Sequence, residues 1–204
     1  MRQGTAIMTR RRRLFATTLS AGLFGIGFAT IAALEPSPWF IWNASASAPL
    51  GLYRISEADS LTLGELVVVM PPPDVARFMA ARHYLPVGVP LMKHVAALPG
   101  QRVCRSSAMV TVDGRPVAIA RARDRDGRPL PIWRGCHHIR AGDLFLLNDA
   151  PDSLDGRYFG PLPASGLIGA AHPLLTRTAP DRPLRWRGLA ASESVATAQG
   201  EIIK

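Results

Sequence analysis

Asn43-Ala44-Ser45-Ala46-Ser47-Ala48-Pro49-Leu50-Gly51-Leu52-Tyr53 is the stretch on which the reading of this chain turns. Its small side chains leave two hydroxyls nearly unencumbered, and Pro49 and Gly51 favour a bend before residues 52–55 set off as a short strand. A bend of this kind can present a serine. Read blandly, it is a Ser/Ala/Pro linker. Read chemically, it holds a nucleophile, and a serine needs a base elsewhere in the chain to take its proton.

A candidate base lies downstream. Of 24 basic residues 22 are arginine, and Lys204 is the last residue, so Lys93 is the one internal lysine. It sits in Leu91-Met92-Lys93-His94-Val95, which is apolar enough to be a strand. Side chains alternate along a strand, so Leu91, Lys93 and Val95 share one face while Met92, His94 and Ala96 share the other. If the first face is the core face, burial disfavours the ammonium and lowers the lysine's pKa, and a neutral amine can then accept a serine's proton. The bland counterpart is an edge-strand lysine that keeps its charge in water.

The N-terminus reads as an anchor. Five arginines and no acid occupy residues 1–13, and residues 14–34 then run without a charge until Glu35. At about 1.5 Å per residue such a run is long enough to cross a hydrocarbon core of about 30 Å. The positive-inside rule then gives a cytoplasmic tail (1–13), a transmembrane anchor (14–34), a periplasmic domain (35–188) and a flexible tail (189–204), an inner-membrane, single-pass topology. A competing reading takes the arginines as a twin-arginine export signal cleaved near Ala44-Ser45-Ala46 or Ala46-Ser47-Ala48, which would cut the candidate active segment itself. Trp39, Phe40 and Trp42 fit either an interfacial aromatic belt or the packing of a first strand.

The net charge of +9 is not a nucleic-acid footprint. Setting the five N-terminal arginines aside leaves 19 basic against 15 acidic residues, with both signs interspersed around residues 121–128, which suits a surface near anionic lipid. A lipid bilayer is therefore an expected partner and nucleic acid is not; because Ser47 lies only thirteen residues past the expected anchor, a membrane-tethered protein precursor can also meet it. Eighteen glycines and eighteen prolines argue for many turns and short strands, hence a mainly β fold. Strands are expected at 66–70, 144–147 and 167–171, a hairpin turning at Asp113-Gly114, a short helix over 74–83 capped by Asp74, and a surface loop over 121–131. Residues 148–160 read as a polar loop, solvated or site-forming. Cys104 and Cys136 form either one disulfide or two separate thiols. His137 and His138 lack metal-ligand spacing, and neither a metal nor a cofactor is expected.

An anchor, a serine in a small-residue bend, a lysine on an apolar strand before Leu98-Pro99-Gly100 and a Ser153-x-Asp155-x-Arg157-Tyr158-x-Gly160 loop together resemble the membrane-bound Ser/Lys signal peptidases. The resemblance spans about residues 14–171 and implies a signal-peptidase-like, β-rich catalytic domain behind one N-terminal transmembrane helix. It implies Ser47 as nucleophile and Lys93 as general base. Ser45 would help the N–H of Ser47 form the oxyanion hole, Ser153 would orient the lysine, and Asp155 and Arg157 would form a supporting ion pair. The Pro49-x-Gly51-Leu52-Tyr53 continuation and the small size are similar to the conjugative-transfer (TraF-type) peptidases that mature pilin precursors, some by cyclisation. The one-residue shorter spacing between serine and proline leaves Ser45 as a second candidate nucleophile.

Three other readings compete. His94 with Asp149 or Asp155 could form a Ser/His/Asp triad, although alternation puts His94 on the face away from Lys93. A housekeeping signal peptidase I would keep the chemistry but fits the altered serine box less well. An anchored, non-catalytic envelope scaffold would make Ser47 a linker residue.

Overall fold

The structure, a computed structural model, describes residues 3–34 and 39–188. The chain divides into two units, Met1–Pro38 and Trp39–Lys204. In the first, a single helix α1 (Gln3–Leu34) covers the expected basic tail from Gln3 onward and the expected span. Among the described residues, no helix is long and apolar enough to cross a membrane. The expected transmembrane helix and the single-pass, inner-membrane topology built on it are therefore corrected. The uncharged run is diluted by Thr17, Thr18, Ser20, Thr30 and three glycines, and counting the absence of charge overstated its apolarity. Glu35 and the expected tail 189–204 lie outside the described residues.

The second unit is built on antiparallel sheets. Its strands are β1 (Phe40–Asn43), β2 (Leu50–Ser56), β3 (Leu66–Val69), β4 (Leu91–Ala97), β5 (Arg102–Ser106), β6 (Met109–Val112), β7 (Arg115–Ile119), β8 (Gly135–His138), β9 (Asp143–Leu147), β10 (Leu162–Pro163), β11 (Leu167–Arg177) and β12 (Arg185–Trp186). Helices α2 (Pro73–Ala81) and α3 (Gly156–Phe159) complete it. The fold class is thus a mixed α and β domain with a mostly antiparallel core, which corrects the expectation of a β domain behind a membrane helix.

One sheet runs β1-β2-β11-β3-β4-β9-β10, with β12 paired to β11, and a second runs β7-β6-β5-β8. Val67, Val68 and Val69 are fully buried because β3 lies between β11 and β4, where both faces are covered. β11 runs to Arg177 rather than ending at Ala171, since it also pairs with β2. The Asp113-Gly114 turn forms as expected, with both residues at positive φ, 48° and 80°. The expected hairpin region is half of a sheet, because β5 and β8 flank it on the other side. α2 starts at Pro73 with Pro72 as its N-cap, so Asp74 lies in the first turn and is not the cap. A proline fits there because its missing N–H has no partner in the first turn.

Alternation along β4 separates its neighbours. Leu91 and Val95 pack with Val67, Val69, Val75, Met79, Leu144 and Leu146, while Met92 joins Tyr53, Val68, Ala48 and Ala171 in a different cluster. Trp39, Phe40 and Trp42 are 78%, 54% and 56% exposed, so they do not provide the core packing of β1.

Candidate active site

Lys93 lies mid-strand in β4, facing Val67 in the register with β3, and is only 5% exposed. Burial drives its pKa down from 10.5 to about 8, against the pull of the Asp155 carboxylate, which favours the charged form. Its Nζ donates to Ser153 Oγ at 2.7 Å. It is thus a buried lysine held on a hydroxyl, without an ion-pair partner within salt-bridge range among the described residues.

Ser47 sits in the loop joining β1 to β2, a tight turn organised by Asn43. The Asn43 amide donates to the carbonyls of Ser45 (2.9 Å), Ala48 (3.1 Å) and Pro49 (3.0 Å), and its oxygen accepts from the Ser45 N–H (3.0 Å). Tyr53 adds a hydroxyl bond to the Pro49 carbonyl at 2.7 Å. Ala48, buried beside Met92, carries the loop to the strand that bears Lys93. Gly51 cannot be replaced here, since its φ is 141° and a Cβ would fall onto the Leu175 carbonyl of β11. The two hydroxyls, Ser45 Oγ and Ser47 Oγ, lie 3.0 Å apart, and Ser45 Oγ accepts from the Ser47 N–H at 3.5 Å.

Residues 148–160 are not a solvated loop. Asn148, Ser153, Asp155 and Arg157 are all buried. Asp155 accepts from Arg157 Nε at 3.0 Å, from Arg157 Nη2 at 3.1 Å and from the Asn148 N–H at 3.1 Å, and Arg157 also donates to the Asn148 carbonyl. The Asn148 side chain crosses to β4, donating to the Met92 carbonyl (3.1 Å) and accepting from the His94 N–H (3.3 Å). These bonds straddle Lys93 and hold the loop that carries Ser153 against the lysine's own strand. Gly156 leaves room for this packing, since a Cβ would come within 2.8 Å of the Leu146 carbonyl and the Phe145 ring.

The structure therefore brings Ser45, Ser47, Lys93 and Ser153 to one cleft of about 830 Å³. Lys93 and Ser47 share this cleft without a direct hydrogen bond, since the lysine's one hydrogen-bond partner among the described residues is Ser153. Asp155 and Arg157 form the buried pair behind it. His94 is not brought to a carboxylate, since its Nδ1 lies 3.1 Å from Asn148 Oδ1, and no Ser/His/Asp triad forms around it. Cys104 and Cys136 are joined as a disulfide across β5 and β8, in the second sheet and away from the cleft lining. Among the described residues no group of His, Cys, Asp or Glu could hold a metal ion.

Sequence reasoning missed Asn43 and Asn148, the two amides that hold the site's loops. Asn43 ends β1 at the head of the serine stretch and Asn148 follows a buried strand, and an amide at or just past a strand end is the pattern that would have drawn attention to both.

An antiparallel sheet that presents a desolvated lysine to a cleft containing serine hydroxyls offers a hydroxyl and a base, the two groups that serine-nucleophile chemistry needs. The chain belongs to the signal peptidase family, peptidase S26, which it matches over residues 11–175, and it is a serine endopeptidase of the signal peptidase type. It is 41% identical over 145 residues to the conjugal transfer protein TraF of Agrobacterium fabrum, covering 66% of this chain and 81% of that protein. Over 184 residues it is 38% identical to a probable conjugal transfer protein TraF of Sinorhizobium fredii, covering 83% of this chain and 95% of the relative. A plasmid transfer protein TraF of Escherichia coli is 35% identical over 146 residues, covering 66% and 81%.

Proposed function

We propose that the protein cleaves a pilin-like precursor used in conjugative transfer, with Ser47 as nucleophile and Lys93 as general base. The observation that carries this is the lysine: the one internal lysine of the chain is buried on a central strand, has its pKa lowered to about 8 and is tethered to Ser153. The conjugal-transfer names of the relatives support the substrate class.

In the mechanism, a substrate seated in the cleft brings its scissile carbonyl to Ser47. The neutral amine of Lys93 takes the proton from Ser47 Oγ as that oxygen bonds to the carbonyl carbon. The oxygen that becomes negative is met by the N–H of Ser47 and the hydroxyl of Ser45, which turns from its neighbour to donate. The lysine, now an ammonium, passes its proton to the leaving amine, and the C–N bond breaks. Water attacks the acyl-enzyme with Lys93 again as base. A substrate amine in place of water would give a cyclic product by the same steps.

Ser47 and Lys93 are not hydrogen-bonded in the free protein, which suits a site that closes on its substrate, since catalytic bonds often tighten only in the substrate complex. The test is processing of the precursor by wild type, Ser47→Ala, Ser45→Ala and Lys93→Ala. Loss in Ser47→Ala and Lys93→Ala, with a partial defect in Ser45→Ala, is expected. Full loss in Ser45→Ala with activity retained in Ser47→Ala would reassign the nucleophile.

A further inference from the structure

The cleft wall is basic. The loop between β7 and β8 lends it Arg121, Arg123, Arg125 and Arg128, and Arg82 joins them from the end of α2. Three carboxylates face the same space, Asp124, Asp126 and Asp152. Each is already engaged. Asp124 accepts from Arg128 Nε (2.7 Å), the Asp126 and Arg128 N–H groups (3.0 and 2.8 Å) and the Tyr84 hydroxyl. Asp126 pairs with Arg128 Nη2 at 2.7 Å, and Asp152 pairs with Arg125. Arg82 reaches Asp124 at 3.9 Å and lies over the Phe78 ring. Among the described residues, Arg121 and Arg123 have no carboxylate partner.

These two arginines stand on a fixed loop. The Arg121 N–H donates to the Tyr158 hydroxyl at 3.0 Å, and Ala120 and Leu130 are buried with Tyr158 in one apolar cluster. Arg123 and Pro129 form a β-bridge across the loop, and Arg123 also donates to the Gly127 carbonyl at 2.6 Å. The loop also reaches the reacting groups. Arg125 and Arg121 both act on Asp152, one residue before Ser153, whose hydroxyl holds Lys93. A guanidinium with no carboxylate in salt-bridge range, on the wall of a cleft, selects a carboxylate ligand, because its planar fork fits both oxygens.

We propose that Arg121 and Arg123 form a subsite for an acidic side chain of the substrate close to the scissile bond. This rests on the peptidase reading above. Without it the two arginines are an acid-binding face with no scissile bond beside it.

The test is a set of quenched-fluorescence peptides with a small-residue cleavage site, in which Glu, Gln or Lys is placed in turn at each of the positions flanking the scissile bond. Wild type, Arg121→Gln/Arg123→Gln and Arg121→Glu/Arg123→Glu are compared as full chains, and binding of the same peptides is read by anisotropy in the Ser47→Ala background. At one or more positions wild type is expected to favour Glu over Gln about tenfold in kcat/KM. That ratio falls towards one in the glutamine variant, and the reversed variant prefers Lys. Equal use of Glu and Gln at every position, with cleavage intact, overturns the subsite and leaves the peptidase. Glu-selective binding that depends on the two arginines, without any Ser47-dependent cleavage, keeps the subsite and overturns the peptidase. Neither selectivity nor cleavage overturns both.

Discussion

Lys93 Nζ donates to Ser153 Oγ across 2.7 Å, which fixes the head of a buried, flexible side chain. In the proposed mechanism Ser153 orients the base and touches no substrate. Ser153→Ala should therefore lower kcat by roughly 10- to 100-fold, the range for loss of an orienting group, with KM nearly unchanged. Ser153→Thr, which keeps the hydroxyl, should restore part of the rate. Steady-state kinetics on a cleavable peptide decide this, and a raised KM with kcat intact would contradict it.

The pH dependence follows from the same lysine. Burial lowers its pKa to about 8, and the reactive form is the neutral amine, so kcat/KM should rise with pH through about 8. The carboxylates of Asp155 and Asp152 pull the pKa up, so removing one charge as Asp152→Asn should move the ascending limb to lower pH. An unmoved limb near the ordinary imidazole value of about 6.5 would point to a histidine base instead.

Stability should move against activity at this residue. At pH 7 Lys93 is mostly protonated both folded and unfolded, and the folded state carries the desolvation cost, whose upper bound is about 3 kcal/mol for a pKa lowered from 10.5 to about 8. The unfolded chain holds the proton longer, so this cost is fully present below pH 8 and is relieved between pH 8 and 10.5. Lys93→Met should thus be inactive yet more stable than wild type by about 1–3 kcal/mol at pH 7, with the gap narrowing over that window. Denaturant melts at pH 7 and pH 10 measure it.

The two loop-holding groups should differ in kind. Asp155→Ala leaves the Arg157 guanidinium buried without its carboxylate, at a cost of about 3–5 kcal/mol. Asn43→Ala strands the carbonyls of Ser45, Ala48 and Pro49 next to solvent-accessible chain, so its cost should be nearer 1–3 kcal/mol. Because Asn43 shapes the serine loop directly, its variant should also lose kcat at temperatures where it remains folded. Equal rates for folded Asn43→Ala and wild type would show that the loop does not need this amide.

Local patterns in the sequence were enough for several of the strands and for placing the lysine on one of them. The run 67–69 is β-branched and buried on both faces, and period-two alternation separated Leu91 and Val95 from Met92 as it does in the clusters. The hairpin turn at Asp113-Gly114 has the one conformation that its residues favour. Non-local facts were not legible. Nothing near residues 102–106 indicates that they pair with 135–138, because that pairing depends on the whole second sheet. The polarity of residues 148–160 left a solvated loop and a site both open; Asp155 and Arg157 satisfy each other and Asn148, so polar residues enter the interior as a matched set. The apolar run of α1 misled for a different reason, since an uncharged stretch is not the same as an apolar one.

The central claim is that Ser47 and Lys93 perform the cleavage. The most direct measurement is mass spectrometry of the cell's pilin-like precursors with wild type, Ser47→Ala, Lys93→Ala and His94→Ala present at equal levels. Unprocessed precursor in the Ser47 and Lys93 variants, with processing retained in His94→Ala, is the predicted result, and the product mass separates cleavage from cyclisation. Processing that continues in both Ser47→Ala and Lys93→Ala would contradict the account.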